Sequence, residues 1–327
     1  MGDDHSKVEK YWSKVDCSAS ERNFYCFPPI AHRACELVFG ECDPNRKEWS
    51  VSMTVEKYLK DHIPFNDALS ICCGFGHVER ILSKLRVCRN ITGIDIAPLA
   101  IEEAKNRASR ENIQNIKYEI ADLNSIALPD NAFDLIWSNG ALHHIEKIEM
   151  VVHKLYNALR PNGYLIATEY VGPRYQQLPR RQQEIVNAVK HLLPPDLRDF
   201  QTGRSKSSWG DRVLKGFVGL FLQRRDVAFE KIWEPLPEEH FLRTDPSECI
   251  SSEKIIPALK NVFREVEIKN FGGSIMYYAF DGTFYNNFDV TNSRHRNVLE
   301  MVFAIEDAFM ETDELAINNA HLMCRKS

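Results

Sequence analysis

The chain lacks any apolar run long enough to cross a lipid bilayer. A membrane-spanning helix needs roughly 18 or more consecutive apolar residues, and no stretch of the 327 residues reaches that length. The first ten residues are charged and have no apolar centre, so no secretory signal is expected. We therefore predict a folded cytoplasmic protein.

The cysteines lack the spacings that bind zinc. Nine cysteines are scattered along the chain, and no two of them form a Cys-x-x-Cys pair. An odd number of dispersed cysteines does not indicate a disulfide framework either. We expect reduced thiols and no bound metal. The positions are Cys17, Cys26, Cys35, Cys42, Cys72, Cys73, Cys88, Cys249 and Cys324.

The chain also lacks a strong overall charge. A net charge of -5 does not suit a general polyanion binder, and no RNA-binding module or basic-aromatic platform is recognisable, so no nucleic acid partner is expected. The charge is nevertheless uneven, because residues 174–225 hold 11 Lys or Arg and four acids. This stretch is +7 and the remainder is -12, which favours an anionic partner.

Short apolar segments alternate with helical patterns between residues 68 and 170. The periodicity predicts helices over 77–87, 98–110 and 146–159. Strands alternating with helices at this spacing form right-handed parallel crossovers in a doubly wound sheet. The predicted strands are 68–73, 91–95, 116–121, 133–138 and 164–169.

The alternation stops after residue 170 and resumes near residue 262. The intervening 90 or so residues show helical patterns and prolines, and inserts of this length are usually lids or binding caps. Further strands are predicted at 262–270 and 274–281, with a last helix at 294–311.

The most informative segment is an apolar run that ends in two glycines, residues 68–76. Asp95 follows at the end of the second predicted strand, where an acid can accept both hydroxyls of a ribose. A dinucleotide site would need a third glycine, but Glu79 stands there, and its carboxylate would repel a pyrophosphate at a helix N-terminus. A cationic nucleoside without phosphate, such as S-adenosylmethionine, fits better than NAD.

Five ordered segments resemble the class I S-adenosylmethionine-dependent methyltransferases. They are Ser70–Gly76, Gly93–Ile96, Ala121–Leu123, Phe133–His144 and Leu159–Leu165. The resemblance covers about residues 68–170. It implies an α/β fold, a Rossmann-like doubly wound seven-stranded mostly parallel sheet with an inserted helical cap after strand 5. The cofactor would be S-adenosyl-L-methionine and the product S-adenosyl-L-homocysteine.

The resemblance also implies which residues bind the cofactor. The glycine turn would face the methionine part, Asp95 the ribose hydroxyls, and Ile96 and Leu123 the surroundings of the adenine. Asp122 would accept from the adenine amino group, although Asp at this place also suits a helix N-cap. The candidates are Tyr11, Cys72, Cys73, Gly74, Phe75, Gly76, Asp95, Ile96, Asp122, Leu123, Ser138 and Asn139.

Two positions depart from the family pattern. Ser70 stands where an acid is usual, and Cys72 stands where a glycine is usual. Serine can accept a hydrogen bond but brings no charge. A catalytically inactive cofactor-binding or interaction protein is therefore kept as the alternative function, and an NAD-type oxidoreductase as the third.

Candidate catalytic groups follow the fourth and fifth strands, since ligands bind at the carboxyl ends of parallel strands. His143 or His144 is a candidate general base, and Glu169 is a candidate catalytic or acceptor-binding group. Alternatively, the two histidines are a structural feature of the start of the next helix, with one of the rings packed in the interior. The candidate acceptor-binding residues are Trp12, Tyr170 and Arg174, with ordinary helix packing as the equal alternative for the N-terminal aromatics.

The acceptor is predicted to be a small anionic or sugar-like molecule, or a lipid-linked one. It would be methylated on a hydroxyl, or with less support on an amine, and the whole pattern resembles bacterial-type enzymes of polysaccharide and small-molecule pathways. Residues 212–225 combine apolar and basic residues and are a candidate for peripheral membrane contact, although a buried cap helix explains them as well. We predict an aromatic helical arm over 1–60, a methyltransferase domain over 61–170 and 260–327, and a cap over 171–259.

Overall fold

A seven-stranded sheet organises the chain. The computed structural model describes residues 7–8, 11–12, 24–43, 48–198, 233–280, 287–312 and 314–327, and elements are numbered within these ranges. The strand order is β3-β2-β1-β4-β5-β7-β6. The strands are β1 Phe65–Ile71, β2 Cys88–Asp95, β3 Ile116–Ile120, β4 Phe133–Asn139, β5 Leu159–Tyr170, β6 Glu265–Asn270 and β7 Asn319–Arg325.

Strands β1 to β5 pair in parallel, and β7 runs antiparallel to both of its neighbours. The sheet order reverses between β1 and β4, so the loops that follow these two strands open at one edge of the sheet. Such a reversal is where open α/β sheets bind ligands. The predicted Rossmann-like, mostly parallel α/β fold is confirmed.

Helices cover both faces of the sheet. The predicted helix at 98–110 is found with those bounds, and the predicted last helix is found one residue longer at its start. The described helices are α1 Pro28–Phe39, α2 Trp49–Thr54, α3 His77–Lys84, α4 Pro98–Arg110, α5 Ile148–Ala158, α6 Arg180–Leu192, α7 Pro195–Arg198, α8 Glu238–Thr244, α9 Ile255–Val262, α10 Met276–Ala279 and α11 Ser293–Glu311.

Alternation along the strands divides the core between the two faces. Leu69 and Ile136 point toward α5 and α9 in one apolar cluster. Ala68 and Trp137 point to the other face, where they pack with residues of α2 and α3. Because successive side chains of a strand face opposite ways, both faces are buried, which explains why these strands read as continuous apolar runs.

The prediction of a strand over 274–281 is wrong. Gly272 and Gly273 have φ values of 82° and 89°, and the chain then forms the short helix α10. The buried Glu306 carboxylate accepts the backbone N–H groups of Gly273, Ile275 and Met276 and holds this turn in place. The seventh strand is instead β7, near the C-terminus.

The prediction that every cysteine is a reduced thiol is also wrong. Cys35 and Cys42 form a disulfide that joins α1 to the segment after it. The other described cysteines are free thiols, and Cys17 lies outside the described residues.

The insert after β5 contains helices and no strand within its described residues, 171–198 and 233–259. Helix α6 packs against α10 and α11 through Ile185 and Val189. The predicted membrane-contact segment, 212–225, lies outside the described residues. Among the helices that the structure describes, none is both long and apolar enough to span a bilayer.

Candidate active site

The glycine turn after β1 places backbone at the open edge of the sheet. Gly74 and Gly76 have φ values of 51° and 70°, in the left-handed region that favours glycine. A Cβ added at Gly74 would meet no atom within 4 Å, whereas one at Gly76 would lie 2.7 Å from Cζ of Tyr118. Gly74 therefore faces open space into which a ligand can come close to the backbone, and Gly76 lies against the protein interior.

Asp95 ties the glycine turn to the end of β2. One carboxylate oxygen accepts the N–H of Gly74 at 2.8 Å, and the other accepts the N–H of Ala97 at 2.8 Å. Burial raises the pKa of Asp95, although these backbone donors oppose the rise. Each oxygen keeps lone pairs that can accept further hydrogen bonds, although the residue as a whole is only 8% exposed.

The remaining predicted cofactor residues lie at the same edge. Asp122 follows β3, and one of its carboxylate oxygens accepts the N–H of Asn124 at 2.9 Å. Leu123 is buried in the core, Ile96 is half-buried, and Asn139 is exposed at the end of β4. The Phe75 ring lies beneath the guanidinium of Arg107, 5.6 Å away.

Glu79 occupies the place of the third glycine and is fully buried in the first turn of α3. Burial raises the pKa of Glu79 to about 7, although the Ser70 hydroxyl opposes the rise. Cys72 and Cys73 lie in the turn itself, and burial raises the pKa of both thiols. These two cysteines therefore stay protonated thiols at neutral pH.

A buried carboxylate organises the loop after β4. The Glu169 oxygens accept from the hydroxyl of Ser138 at 2.6 Å and from the backbone N–H groups of Ala141 and Leu142. Nδ1 of His143 lies 2.9 Å from the same carboxylate. Glu169 is 1% exposed, so it orients His143 and the loop and presents no free face to a ligand.

His143 and His144 lie side by side, with ring centroids 4.1 Å apart. Burial opposes charge on His143, but the hydrogen bond to Glu169 and the nearby carboxylates outweigh it and raise its pKa. Burial and the neighbouring imidazole lower the pKa of His144 to about 4. The two rings thus differ in proton affinity although they are adjacent in sequence.

Three residues of the insert complete this cluster, and none of them is among the residues predicted from the sequence. Nδ1 of His144 lies 3.1 Å from Oγ of Ser247, whose hydroxyl donates to Asp245 at 2.6 Å. Nε2 of His144 lies 3.8 Å from a carboxylate oxygen of Glu248. Residues 245–248 carry no recognised motif, so no sequence signal distinguished them from other polar turns of the insert.

The N-terminal aromatic residues contact the same cluster. The ring of Trp12 meets the His144 ring edge-on, with centroids 5.0 Å apart. Tyr11 packs edge-on against Trp12, and burial together with the charges of Asp245 and Glu248 raises its pKa. Both aromatics therefore lie beside the histidines.

Two predicted acceptor-binding residues lie elsewhere. Tyr170 is on the face of β5 opposite to Glu169, and its hydroxyl donates to the carbonyl of Pro173 and accepts from Tyr278. Arg174 is exposed, with its guanidinium 4.5 Å from the centroid of the Tyr175 ring. The described contacts do not bring either side chain to the histidines.

Comparison with known proteins points to one class of enzyme. Residues 69–167 match the family model described as a methyltransferase domain. The chain is 28% identical to a malonyl-[acyl-carrier protein] O-methyltransferase of Enterobacter lignolyticus, over 62% of this chain and 76% of the relative. It is also 28% identical to phosphoethanolamine N-methyltransferase 2 of Caenorhabditis elegans, over 67% of this chain and 47% of that protein.

A solved S-adenosylmethionine-dependent methyltransferase from Mesorhizobium loti is 26% identical, with a TM-score of 0.30, over 32% of this chain and 47% of that one. The matched family segment begins in β1 and ends in β5, so it contains the glycine turn, Asp95 and the loop with both histidines. On this sequence match and this sheet order, residues 69–167 form a class I S-adenosylmethionine-dependent methyltransferase domain.

Proposed function

We propose that the protein transfers the methyl group of S-adenosylmethionine to a hydroxyl, or with less support an amine, of a small anionic or sugar-like acceptor. One observation carries the proposal. His143 and His144, in the loop that follows β4, meet Glu248 at the carboxyl edge of the sheet. Polar groups at this place can act on an acceptor atom aligned with the activated methyl group.

In this proposal the glycine turn and Asp95 hold the cofactor. Gly74 offers an open backbone surface to the methionine part, and the Asp95 oxygens have lone pairs left for the ribose hydroxyls. Ile96 and Asp122 border the adenine, and Ser138 and Asn139 border the methionine part. These roles follow the positions of the residues along the carboxyl edge of the sheet.

On the acceptor side, the rings of His143, His144 and Trp12 pack next to one another. The proton of an acceptor hydroxyl leaves as the new bond to carbon forms, and the imidazole–carboxylate cluster is the polar group placed to assist its loss. Glu169 is a positioning residue in this arrangement, because its oxygens are engaged by the loop and by His143.

The anionic nature of the acceptor is supported by charge and by relatives. The names of the two relatives record methylation of a malonyl oxygen and of a phosphoethanolamine nitrogen, and both acceptors carry acid groups. In the described part of the basic stretch, Arg180 and Arg181 are exposed on α6. Much of that stretch, from residue 199 onward, lies outside the described residues.

Parallel calorimetric titrations with S-adenosylmethionine, S-adenosylhomocysteine and NAD test the cofactor assignment. We expect the two adenosyl ligands to bind and NAD not to bind. Asp95→Asn should weaken their binding by about 10–100-fold, because hydrogen bonds to a charged group contribute about 1.5–3 kcal/mol. The same change at the exposed Asp130 is the control and should leave binding unchanged.

Acceptor specificity is then tested with methyl-labelled cofactor and a panel of phosphorylated sugars, hydroxy acids and phosphorylated amino alcohols. Label transfer to an anionic hydroxyl compound supports the proposal. Transfer to neutral compounds alone would overturn the anionic assignment. Cofactor binding without label transfer to any compound would favour the inactive binding protein.

A further inference from the structure

His143, His144 and Glu248 have the geometry of a metal site. One ligand atom from each of the three residues lies within 4.8 Å of the other two. We infer that this cluster binds a divalent transition-metal ion through two imidazoles and one carboxylate. No metal was expected from the sequence, because Glu248 is about 100 residues away from the histidines and shares no spacing motif with them.

The hydrogen bonds made by Nδ1 of each ring leave Nε2 free to bind a metal ion. Nδ1 of His143 lies 2.9 Å from Glu169, a carboxylate that can only accept, so in the neutral imidazole Nδ1 carries the proton and Nε2 has the lone pair. The Ser247 hydroxyl gives its proton to Asp245, so Ser247 accepts from Nδ1 of His144. Nε2 of His144 is therefore also unprotonated.

This arrangement is the one that metal-binding histidines adopt. Such rings almost always donate the second N–H to a carboxylate, a carbonyl or another polar group, which fixes the tautomer and the orientation. Nε2 of His144 lies 3.8 Å from Oε2 of Glu248, too far for a hydrogen bond. This separation suits two atoms that each bind one ion at about 2.0–2.2 Å.

The charge of the surroundings also favours a bound cation. The carboxylates of Glu169, Asp245 and Glu248 lie beside the two imidazoles. Within the described residues, no Lys or Arg forms an ion pair with any of the three. Oδ2 of Asp245 is buried 3.9 Å from Nδ1 of His144 and has no hydrogen-bond partner in the described part of the chain. Buried charges that are not paired are costly, and a divalent ion would compensate them.

The donor set indicates which ions are suitable. Two imidazoles with one carboxylate suit Zn²⁺, Fe²⁺, Mn²⁺ or Co²⁺, whereas Mg²⁺ and Ca²⁺ prefer oxygen ligands. Three protein ligands leave positions open for an exogenous oxygen.

In the proposed function, on which this consequence rests, the open position would hold the acceptor hydroxyl and lower its pKa. The ion would also let an acidic pocket accept an anionic molecule. The histidines would then bind the ion, and the ion rather than an imidazole would make the hydroxyl acidic. Its proton would pass to solvent, while the methyl group moves from the sulfonium to the oxygen and leaves S-adenosylhomocysteine as the neutral thioether.

Cobalt titration of the whole chain tests the site. The protein is stripped with EDTA, dialysed and titrated with CoCl₂, while visible absorption and calorimetry are recorded. We expect one Co²⁺ per chain with visible d–d bands. Glu248→Gln keeps the side-chain shape and His144→Ala removes a ring nitrogen, and each should weaken Co²⁺ binding at least about tenfold. Glu146→Gln is the matched control, because Glu146 is exposed two residues from His144, and it should bind as the wild type does.

Two results would overturn the site. One is the absence of Co²⁺ binding by the wild type, and the other is unchanged binding by both Glu248→Gln and His144→Ala. A thiolate-to-cobalt charge-transfer band with unchanged binding in these variants would place the ion at cysteines instead. Titration with S-adenosylmethionine in the presence of EDTA is run in parallel. Retained cofactor binding with no Co²⁺ binding would remove the metal site alone, whereas lost cofactor binding would remove the proposed function.

Discussion

Nδ1 of His143, in the loop that follows β4, lies 2.9 Å from Oε2 of Glu169, near the end of the adjacent parallel strand β5. The same carboxylate accepts the backbone N–H groups of Ala141 and Leu142. One buried side chain therefore fixes both the loop after β4 and the ring that the loop carries. The position of His143 is therefore fixed by a residue of the sheet as well as by the loop.

Glu169→Gln should disturb the orientation of the His143 ring while leaving the fold of the loop intact. The amide oxygen can still accept the loop N–H groups, but the amide nitrogen cannot accept from Nδ1 of His143. We expect turnover to fall about 10–100-fold, as is typical when the partner of a functional histidine is changed, while affinity for S-adenosylmethionine changes less than about threefold. Turnover and calorimetry measure the two effects.

The exposed Glu146 provides the control for the same chemical change, and Glu146→Gln should leave both quantities at wild-type values. Wild-type turnover in Glu169→Gln would show that the ring needs no carboxylate partner. A large loss of cofactor affinity would instead mean that Glu169 supports the methionine part of the cofactor through Ser138.

Gly74→Ala should mainly weaken cofactor binding, whereas Gly76→Ala should mainly lower the stability of the fold. An added Cβ at Gly74 enters open space, whereas one at Gly76 collides with Tyr118 and lies 3.0 Å from Cβ of Ala104. For Gly74→Ala we expect a loss of about 1 kcal/mol in unfolding free energy from the left-handed backbone, and at least tenfold weaker cofactor binding. Gly76→Ala should lose about 2–4 kcal/mol, because steric strain adds to backbone strain. Urea unfolding and calorimetry test both variants, and wild-type cofactor affinity in Gly74→Ala would contradict the assignment.

Cys72→Gly should be more stable than Cys72→Ala. Cys72 has a φ of 46°, in the region where a β-carbon is crowded. Alanine keeps the β-carbon and loses the sulfur, whereas glycine removes the strain, so the glycine variant should be about 1 kcal/mol more stable. Chemical denaturation of the two variants measures the difference. Alanine being the more stable replacement would mean that the turn relaxes without strain.

Most of the central sheet could be predicted from the sequence. Strands β1 to β5 are apolar segments between helices, and that alternation allows few topologies. The sequence also predicts Asp95 as a cofactor residue, because it ends a strand at a fixed distance from a glycine turn. The structure has its carboxylate beside Gly74, and the cofactor role stays a prediction.

Features built from distant residues could not be predicted in the same way. Strand β7 contains Asn319 and His321, whose side chains are buried and form hydrogen bonds with distant parts of the chain. Because of these polar residues, the segment lacks the apolar pattern from which a buried strand is predicted. Asp245 and Glu248 reach the histidines only because the insert folds back onto the loop that follows β4. The Cys35–Cys42 bond also depends on the turn after α1.

His321 should make the stability of the protein depend on pH. The ring is fully buried in β7, with Nε2 3.0 Å from Oγ1 of Thr54 and Nδ1 3.0 Å from Oγ1 of Thr168. Burial lowers the pKa of His321 to about 4, whereas an unfolded histidine titrates near 6.5. Between these values the unfolded chain binds the additional proton, so unfolding becomes easier as pH falls.

The contribution of His321 should be fully present above about pH 6.5 and lost progressively down to about pH 4, with no further change below that. Its size is on the order of 3 kcal/mol, because a tenfold difference in proton affinity between the folded and unfolded chain corresponds to about 1.4 kcal/mol. Carboxylates also titrate in this range, so the measurement is the difference between the wild type and His321→Gln in urea unfolding from pH 4 to 8. The variant removes the titrating ring and should show a shallower loss of stability below pH 6.5. Parallel curves for the two proteins would show that His321 takes up its proton in the folded state without cost, and that the hydroxyls of Thr54 and Thr168 turn to accept from the charged ring.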